Sequence, residues 1–298
     1  MTTSAQDRTV SAKISFERVA KTFQVKQRAG HGSKLESFTA IQDVELEVHT
    51  GEFLVIVGPS GCGKSTLLDL LGGLTRPSAG RVLLDGQPVT GPGMDRGIVF
   101  QQYALFPWLT ALQNVAFGLE VKGLPERERR EQAQHFLALV GLSGFEHRHP
   151  HELSGGMKQR VAIARSLAFD PAVLLMDEPF AALDAQTRET LQSELVKIWQ
   201  ASRKTIVFIT HGIDEAVCLG QRVAIMTSRP GRIKTIIDIP ESLRLAEDRR
   251  AHPEFVEVRN RIWSLLRDEV KRAQEQERRD PVGVSPRGAA LAEVTTHV

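Results

Sequence analysis

Cysteine is scarce in this sequence, and long apolar runs are missing from it. The two cysteines among 298 residues, Cys62 and Cys218, cannot build a disulfide framework, and neither has the spacing of a metal-binding motif. No stretch approaches the roughly 18 consecutive apolar residues that span a bilayer. The opening segment, MTTSAQDRTVSAK, lacks the apolar centre and cleavage site of a secretory signal. We therefore expect a cytoplasmic chain that does not cross a membrane by itself.

The charge balance and the composition exclude two further classes of protein. Lysine and arginine number 38 against 36 acidic residues, a net charge of +2, so nothing global points to a nucleic-acid partner. With 41% hydrophobic and 25% charged residues, the chain has the composition of a globular protein, which excludes disorder throughout. Its 298 residues leave room for one large or two modest domains, at about 150 residues per domain.

Short apolar runs predict strands of a parallel sheet that is buried on both faces. They occupy residues 53–57, 97–100, 173–176 and 205–210. Residues 107–145 have helical character, which predicts a helical insertion in an α/β core. Before the first run, residues 13–48 predict strands separated by an exposed loop at 24–37. After the last run, one amphipathic helix is expected over residues 255–270.

Residues 58–65, GPSGCGKS, carry the most specific motif of the chain. They fit the phosphate-binding pattern G-x-x-x-x-G-K-[ST] and lie between a predicted buried strand and a predicted helix. Glycines let several backbone N–H groups and the helix N-terminus face a phosphate. Lys64 is predicted to reach the β- and γ-phosphates, and the Ser65 hydroxyl to bind Mg²⁺. We interpret Cys62 as a small loop residue and not a nucleophile, because no histidine is paired with it locally.

Two adjacent carboxylates, Asp177 and Glu178, follow the apolar run at 173–176. Consecutive side chains of a strand diverge, so the two acids can serve different tasks. We predict that Asp177 faces the Mg²⁺ shell and that Glu178 faces an attacking water. Alone, such a pair is more often a helix cap than a metal site, and the phosphate-binding motif strengthens the second interpretation.

The segment 153–160, LSGGMKQR, introduces another predicted helix. Taken alone, Ser154 is its N-cap, and the two glycines allow an anion to approach the helix N-terminus. Together with the two motifs above, this segment makes the chain resemble the nucleotide-binding subunit of an ABC transporter over residues 14–270. The resemblance implies an α/β P-loop NTPase fold with a mixed-sheet core, an antiparallel β subdomain and a helical signature subdomain.

The resemblance also implies a site for ATP and Mg²⁺. The residues implied to bind ATP, with Phe23 stacking on adenine, are Phe23, Gly58, Pro59, Ser60, Gly61, Cys62, Gly63, Lys64, Ser65 and Thr66. The residues implied to hold Mg²⁺ are Ser65, Gln101 and Asp177. The implied catalytic residues are Lys64, Gln101, Glu178 and His211. Among these, Glu178 is the implied general base and His211 the contact to the γ-phosphate, and Gln101 is preferred to Gln102 because it directly follows an aromatic residue.

In this family a second copy of the chain completes each site, which implies a head-to-tail homodimer. Ser154, Gly155 and Gly156 would contact the ATP held by the partner, and Asp184 would lie in the loop that crosses the interface. Met157 stands where the commonest signature has glutamine, and Ala182 stands where serine is usual. Because the serine and both glycines of the signature are intact, we expect the change at Met157 to be tolerated.

The resemblance divides the chain into four parts. They are a flexible N-terminus at 1–12, a nucleotide-binding domain at 13–240 with its helical subdomain at about 104–165, a C-terminal helical extension at 241–270 and a disordered tail at 271–298. Three segments are similar to the nitrate, sulfonate and taurine importers, namely GPG at 91–93, LFPW at 105–108 and SRPGRI at 228–233. They indicate a subfamily and not a substrate.

The implied function is ATP hydrolysis that drives import of a small anion of the sulfonate, taurine or nitrate type. The implied partners are integral membrane permease subunits and, indirectly, a periplasmic or lipoprotein substrate-binding protein, with the chain peripheral on the cytoplasmic face of the inner membrane and no nucleic acid bound. Tyr103, Phe106 and Trp108 are either the permease-docking surface or local core.

Three alternatives to this function differ in the substrate, in the kind of protein or in the presence of catalysis. One is an ABC importer ATPase for another substrate class, which the sequence leaves open. Another is a soluble ABC ATPase acting on DNA or ribosomes, which the single cassette and the absence of a heptad run disfavour. The third is a catalytically dead subunit, which is disfavoured because Lys64, Glu178 and His211 are all present.

Overall fold

The computed structural model describes residues 12–29, 32–246 and 248–279. The predicted flexible N-terminus lies outside the described residues except for Ala12, which begins a strand, and the end of the predicted tail, from residue 280, also lies outside them. None of the helices in the described part is long and apolar enough to cross a membrane.

A six-stranded mixed sheet forms the centre of the fold. Its strands, in spatial order, are β10 (Ile233–Asp238), β9 (Arg222–Met226), β3 (Phe53–Val57), β8 (Thr205–Ile209), β7 (Val173–Asp177) and β6 (Arg96–Val99). All of them run parallel except β10, which pairs antiparallel with β9. Every residue of β3, β7 and β8 is buried, as their continuous apolar runs predict.

Both faces of this sheet are covered, which explains why its strands do not alternate between apolar and polar residues. On β3, the side chains of Phe53, Val55 and Val57 belong to one apolar core and those of Leu54 and Ile56 to another. The first core includes the helical subdomain and the C-terminal helix, and the second includes the first helix and the antiparallel strands. The mixed-sheet core that the resemblance implies is therefore present.

A second, antiparallel sheet covers one face of the first and corrects one prediction. Its order is β2 (Gly32–His49), β1 (Ala12–Ala29), β4 (Ala79–Leu84) and β5 (Gln87–Pro88). The exposed loop predicted at 24–37 is wrong, because β1 and β2 remain paired out to Ala29 opposite Gly32. Main-chain hydrogen bonds between the strands form this ladder, and they require no alternation of apolar side chains.

The helices occupy the intervals between the strands. They are α1 (Lys64–Leu71), α2 (Ala111–Val121), α3 (Glu126–Leu139), α4 (Gly155–Ala168), α5 (Ala185–Ser202), α6 (Ile213–Leu219), α7 (Glu241–Leu245) and α8 (Pro253–Arg279), with a short 3-10 helix at Pro150–Glu152. Helices α2, α3 and α4 pack on one another and form the predicted helical subdomain. Thr110 and Gln113 begin α2 with a reciprocal capping box.

Helix α8 is longer than predicted, so residues 271–279, assigned to a disordered tail, are helical. The Glu269 carboxylate, only 1% exposed, accepts hydrogen bonds from the Ser228 N–H at 3.0 Å and from Lys234 Nζ at 2.8 Å. Two turns later, Gln276 Nε2 donates to the Arg229 carbonyl at 2.9 Å. These contacts to the β9–β10 connection hold the last turns of the helix, and the polar sequence alone does not show them.

We expect Glu269→Ala to lower the free energy of unfolding by about 1–3 kcal/mol, because the buried Ser228 N–H loses its acceptor. Burial by itself would raise the pKa of Glu269, but the contacts from Lys234, Ser228 and Arg272 outweigh burial and lower the pKa. The stabilisation of the fold by the ionised Glu269 carboxylate is therefore fully present above the ordinary pKa of glutamate. It is lost as the pH falls through the lowered pKa. Urea unfolding at neutral and acid pH measures both effects.

The matched control is Glu257→Ala, which removes an exposed carboxylate from the same helix. It should change the free energy of unfolding by less than about 0.5 kcal/mol at either pH. Equal losses in the two variants would contradict the anchoring role of Glu269.

Candidate nucleotide-binding site

The strand order brings the predicted site residues to one edge of the central sheet. Because β3, β8, β7 and β6 are parallel neighbours, their carboxyl ends meet there. The phosphate-binding segment follows β3, His211 follows β8, Glu178 follows β7 and Gln101 follows β6. Segments that are more than 100 residues apart in the chain thus form one site.

The phosphate-binding segment has the backbone of an anion cradle. Gly61 and Gly63 adopt φ angles of 71° and 99°, which favour glycine. A Cβ at Gly63 would lie 2.4 Å from the Ile41 side chain, so the loop also needs glycine for its close packing. Gly63 begins α1 without a side-chain cap, which leaves the first N–H groups of that helix free of a capping side chain. An anionic phosphate is the group that suits them.

Lys64 points into this loop. It is 8% exposed, and its Nζ donates to the carbonyl oxygens of Gly58 at 2.9 Å and Pro59 at 3.0 Å. Its Nζ also lies 3.9 Å from the Cys62 sulfur. Burial raises the pKa of the Cys62 thiol, which opposes formation of a thiolate nucleophile. The arrangement places a positive charge against the loop that would cradle phosphates.

Glu178, His211 and Gln101 come together as a polar cluster. Glu178 Oε2 lies 3.1 Å from His211 Nδ1 and accepts a hydrogen bond from Gln101 Nε2 at 3.4 Å. Glu178 has a left-handed φ of 47°, an unfavourable conformation for this residue type that occurs often at functional sites. Asp177, the last residue of β7, is 2% exposed. Glu178 therefore belongs to the turn after β7 and not to the strand, so the alternation of strand side chains on which the prediction relied does not apply to it.

Two further predicted site residues are helix caps in this chain. Ser154 Oγ accepts from the Met157 N–H at 3.2 Å and begins α4, and Asp184 Oδ1 accepts from the Thr187 N–H at 2.9 Å and begins α5. The hydrogen bonds from Thr187 lower the pKa of Asp184. Within the described residues, no hydrogen bond joins Ser154 to the phosphate-binding segment of its own chain.

Phe23 does not lie open in this structure. It pairs with Phe38 across the β1–β2 hairpin, its side chain is 2% exposed, and Lys21 Nζ lies 4.8 Å from its ring centroid. Stacking on adenine would require one face of the ring to become exposed. The assignment of Phe23 to adenine stays a prediction.

The structure adds a wall to the site that sequence reasoning did not find. A cavity of about 670 Å³ beside Glu178 and His211 is also lined by Arg259, Asn260 and Trp263 of α8. The amphipathic pattern of this segment indicates its buried face but not which element lies beside it. The signal in the sequence that could have indicated this wall is Trp263, a large apolar residue in a helix that is otherwise rich in charged residues.

Comparison with known proteins identifies the family. The ABC transporter family model matches residues 41–181. An uncharacterized ABC transporter ATP-binding protein of Methanocaldococcus jannaschii is 54% identical over 261 residues, which are 88% of this chain and 94% of that protein. The chain belongs to the ABC transporter ATP-binding family. It is an ATPase of the ABC type.

Two relatives of this ABC cassette carry names that specify a transported substrate. A nitrate import ATP-binding protein of Synechocystis is 50% identical over 240 residues, covering 78% of this chain and 90% of the relative. A taurine import ATP-binding protein of Roseobacter denitrificans is 48% identical over 234 residues, covering 76% of this chain and 87% of that relative. The subfamily resemblance of the sequence is thereby confirmed.

A solved structure agrees with the architecture. It is an ATP-binding cassette captured as a dimer in a post-hydrolysis state with ADP and phosphate. It is 35% identical to this chain with a TM-score of 0.67, and the match covers 76% of this chain and 99% of that one.

Proposed function

We propose that this ABC cassette is the ATP-hydrolysing subunit of an importer for a small anion of the nitrate, sulfonate or taurine type. The observation that carries the proposal is the cluster of Glu178, His211 and Gln101 at the same sheet edge as the phosphate-binding segment. Membership of the family and the names of the two import relatives support the transport part.

Each residue of the cluster has a distinct task in hydrolysis. Lys64 and the first N–H groups of α1 hold the β- and γ-phosphates and counter their charge. Glu178 accepts the proton of the water that attacks the γ-phosphate, and His211, 3.1 Å from it, orients that carboxylate and contacts the same phosphate. Gln101, whose Nε2 donates to Glu178 Oε2 at 3.4 Å, positions the same water.

The oxygen donors at this edge suit Mg²⁺. The Ser65 hydroxyl lies in the first turn of α1, the buried Asp177 carboxylate ends β7, and the Gln101 amide follows β6. Across the described ranges, no group of three or more histidine, cysteine or acidic side chains could enclose a metal by itself. Such a sparse set suits an ion that takes most of its ligands from phosphate and water. When bound, Mg²⁺ would neutralise charge on the transferring phosphoryl group.

We propose further that each ATP lies between two copies of the chain arranged head to tail. Ser154, Gly155 and Gly156 of one copy would face the phosphate-binding segment of the other. The cap made by Ser154 orients these residues at the N-terminus of α4, where backbone N–H groups favour an anion. The dimeric state of the solved cassette supports this arrangement.

The proposed permease contact is the aromatic surface that follows Gln101. Trp108 is 70% exposed, and its ring centroid lies 5.6 Å from that of Phe106. The Phe106 ring packs in turn against Phe117 in a tilted arrangement, with the centroids 4.7 Å apart. The buried Asn114 side chain binds the backbone of Phe106 at both its N–H and its carbonyl. An exposed tryptophan on a rigid base is a feature of interaction surfaces, since packing in the core would have buried it.

Trp108→Ala is expected to reduce substrate uptake in the reconstituted transporter at least about tenfold, because large buried aromatics dominate binding at interfaces. The ATPase rate of the isolated chain should stay near the wild-type value, since Trp108 touches none of the catalytic groups. Uptake into vesicles and ATP turnover are measured on the same preparations. The control is Leu245→Ala. Leu245 is also a highly exposed apolar residue, but it lies on α7, and its substitution should leave uptake unchanged.

The substrate is tested by growth and uptake. A deletion strain supplied with nitrate, taurine or an alkanesulfonate as sole nitrogen or sulfur source should fail on one of them, and the intact gene should restore growth and radiolabelled uptake. Unimpaired growth on all of them would exclude the proposed substrate class.

A peripheral location on the cytoplasmic face of the inner membrane, which the proposal includes, predicts co-purification with a permease from solubilised membranes.

A further inference from the structure

Helix α8 presents an exposed aromatic residue directly beside the nucleotide site. Trp263 is 52% exposed and lines the cavity of about 670 Å³ that contains Glu178 and His211. It also lines a second cavity of about 330 Å³, whose other walls include Gly58, Pro59 and Ser60. The indole therefore borders both the catalytic cluster and the phosphate-binding segment, although it lies almost 200 residues after that segment in the chain.

Packing of α8 on the core holds Trp263 in this place. Arg259, one turn earlier on the same face, forms an ion pair with Asp214 of α6 at 3.0 Å. Ile262 and Leu266 on either side are buried in the core, and Glu269 holds the helix to the β9–β10 connection. The exposure of the indole is therefore a property of a fixed surface and not of a fraying helix end.

We infer that the α8 face, defined by Arg259, Asn260 and Trp263, is covered by a second copy of this chain when ATP is bound. This inference rests on the head-to-tail dimer of the proposed function. To bring Ser154 against the ATP, the partner must approach the sheet edge formed by Gly58 and His211. The α8 face is continuous with that edge, because His211 of the edge and Trp263 of the face both line the two cavities.

The chemistry of the face suits a protein partner. Asn260 and Arg259 supply hydrogen-bond donors around a large apolar indole, which is the usual composition of an interface centre with a polar rim. Burying the indole removes apolar surface from water only in the ATP-bound dimer. The α8 face would thus add ATP-dependent dimer affinity that the signature residues alone do not supply.

Tryptophan fluorescence tests the inference without changing Trp263. The chain has three tryptophans, of which Trp199 is 6% exposed. In a Glu178→Gln, Trp108→Phe protein, Trp263 is then the exposed fluorophore. Adding MgATP should produce a dimer by light scattering, shift the emission to shorter wavelength and lower acrylamide quenching at least about twofold, because an indole that leaves water behaves in this way.

A substitution provides the second arm of the experiment. In the Glu178→Gln background, Trp263→Ala should weaken ATP-dependent dimerisation about tenfold or more, the usual cost of truncating a buried interface tryptophan. Val256→Ala is the control, since Val256 is equally exposed at 52% on the same helix but lines neither cavity. Its dimer affinity should equal that of the parent.

The outcomes separate this inference from the function on which it rests. If MgATP produces no dimer of the parent protein, the head-to-tail model itself fails. If a dimer forms while Trp263 stays accessible to acrylamide, the inference that the partner covers the α8 face is overturned and the proposed function stands. Protection of Trp263 without dimerisation, by nucleotide or by the end of the same chain, overturns the inference as well. The fluorescence arm remains decisive if Trp263→Ala fails to fold.

Discussion

Replacing Glu178 by glutamine is expected to lower ATP turnover by about 10²–10⁴ while leaving ATP binding intact. The amide keeps the size of the side chain but cannot accept the proton of the attacking water. The contacts of the carboxylate to His211 and Gln101 show why its position is specific, since both partners meet the same oxygen. Steady-state phosphate release and equilibrium binding of a fluorescent ATP analogue measure the two quantities separately.

Glu189→Gln is the matched control for this prediction. Glu189 is another carboxylate of the cavity beside Glu178, but it lies on α5 and pairs with Arg250. Its turnover should stay within about twofold of the wild-type value, as for most exposed substitutions. Near-normal turnover in Glu178→Gln would remove Glu178 from the role of general base.

Ser154→Arg is expected to reduce hydrolysis by at least about 10², because the new side chain would obstruct the partner's γ-phosphate and remove a contact to it. ATP binding to the monomer should persist, since Ser154 makes no hydrogen bond to the phosphate-binding segment of its own chain. Loss of the α4 cap should add a stability cost of about 0.5–2 kcal/mol, which thermal unfolding measures independently. A collapse of monomer binding would show that the signature acts within its own subunit.

Mixing the two inactive variants gives a sharper form of this test. In a heterodimer, the Ser154→Arg chain contributes an intact Glu178 and the Glu178→Gln chain an intact Ser154, so one composite site is complete. We expect ATPase activity to reappear on mixing and to follow the fraction of heterodimer. If each chain used its own signature, no site would be complete and the mixture would stay inactive.

Contiguous motifs were the part of the site that could be predicted. The segment 58–65 needs a strand, a glycine turn and a helix in immediate succession, and each of these leaves a mark in the local sequence. The acidic pair at the end of β7 is similar, since the apolar run before it predicts a buried strand. The meeting of Glu178 with His211 and Gln101 was expected only through the family resemblance, because strand order brings them together and local periodicity does not encode that order.

The β1–β2 hairpin and the end of α8 show why other parts could not be predicted. The far end of the hairpin consists of polar residues whose pairing depends on main-chain hydrogen bonds between strands. The last turns of α8 depend on Glu269 and Gln276, whose partners belong to the β9–β10 connection. A polar sequence of either kind is compatible with disorder until the partner backbone is in place.

The scarcity of cysteine and the lack of a membrane-length apolar run excluded disulfide scaffolds and spanning helices from the sequence alone. The sequence also determined the phosphate-binding segment, the acidic strand end and the family, because these features are local. Only the tertiary structure decided that Phe23 is covered, that Trp108 and Trp263 are exposed, and that α8 forms a wall of the cavity beside Glu178 and His211. The exposure of a side chain depends on which distant element packs beside it, and a single sequence does not specify that neighbour.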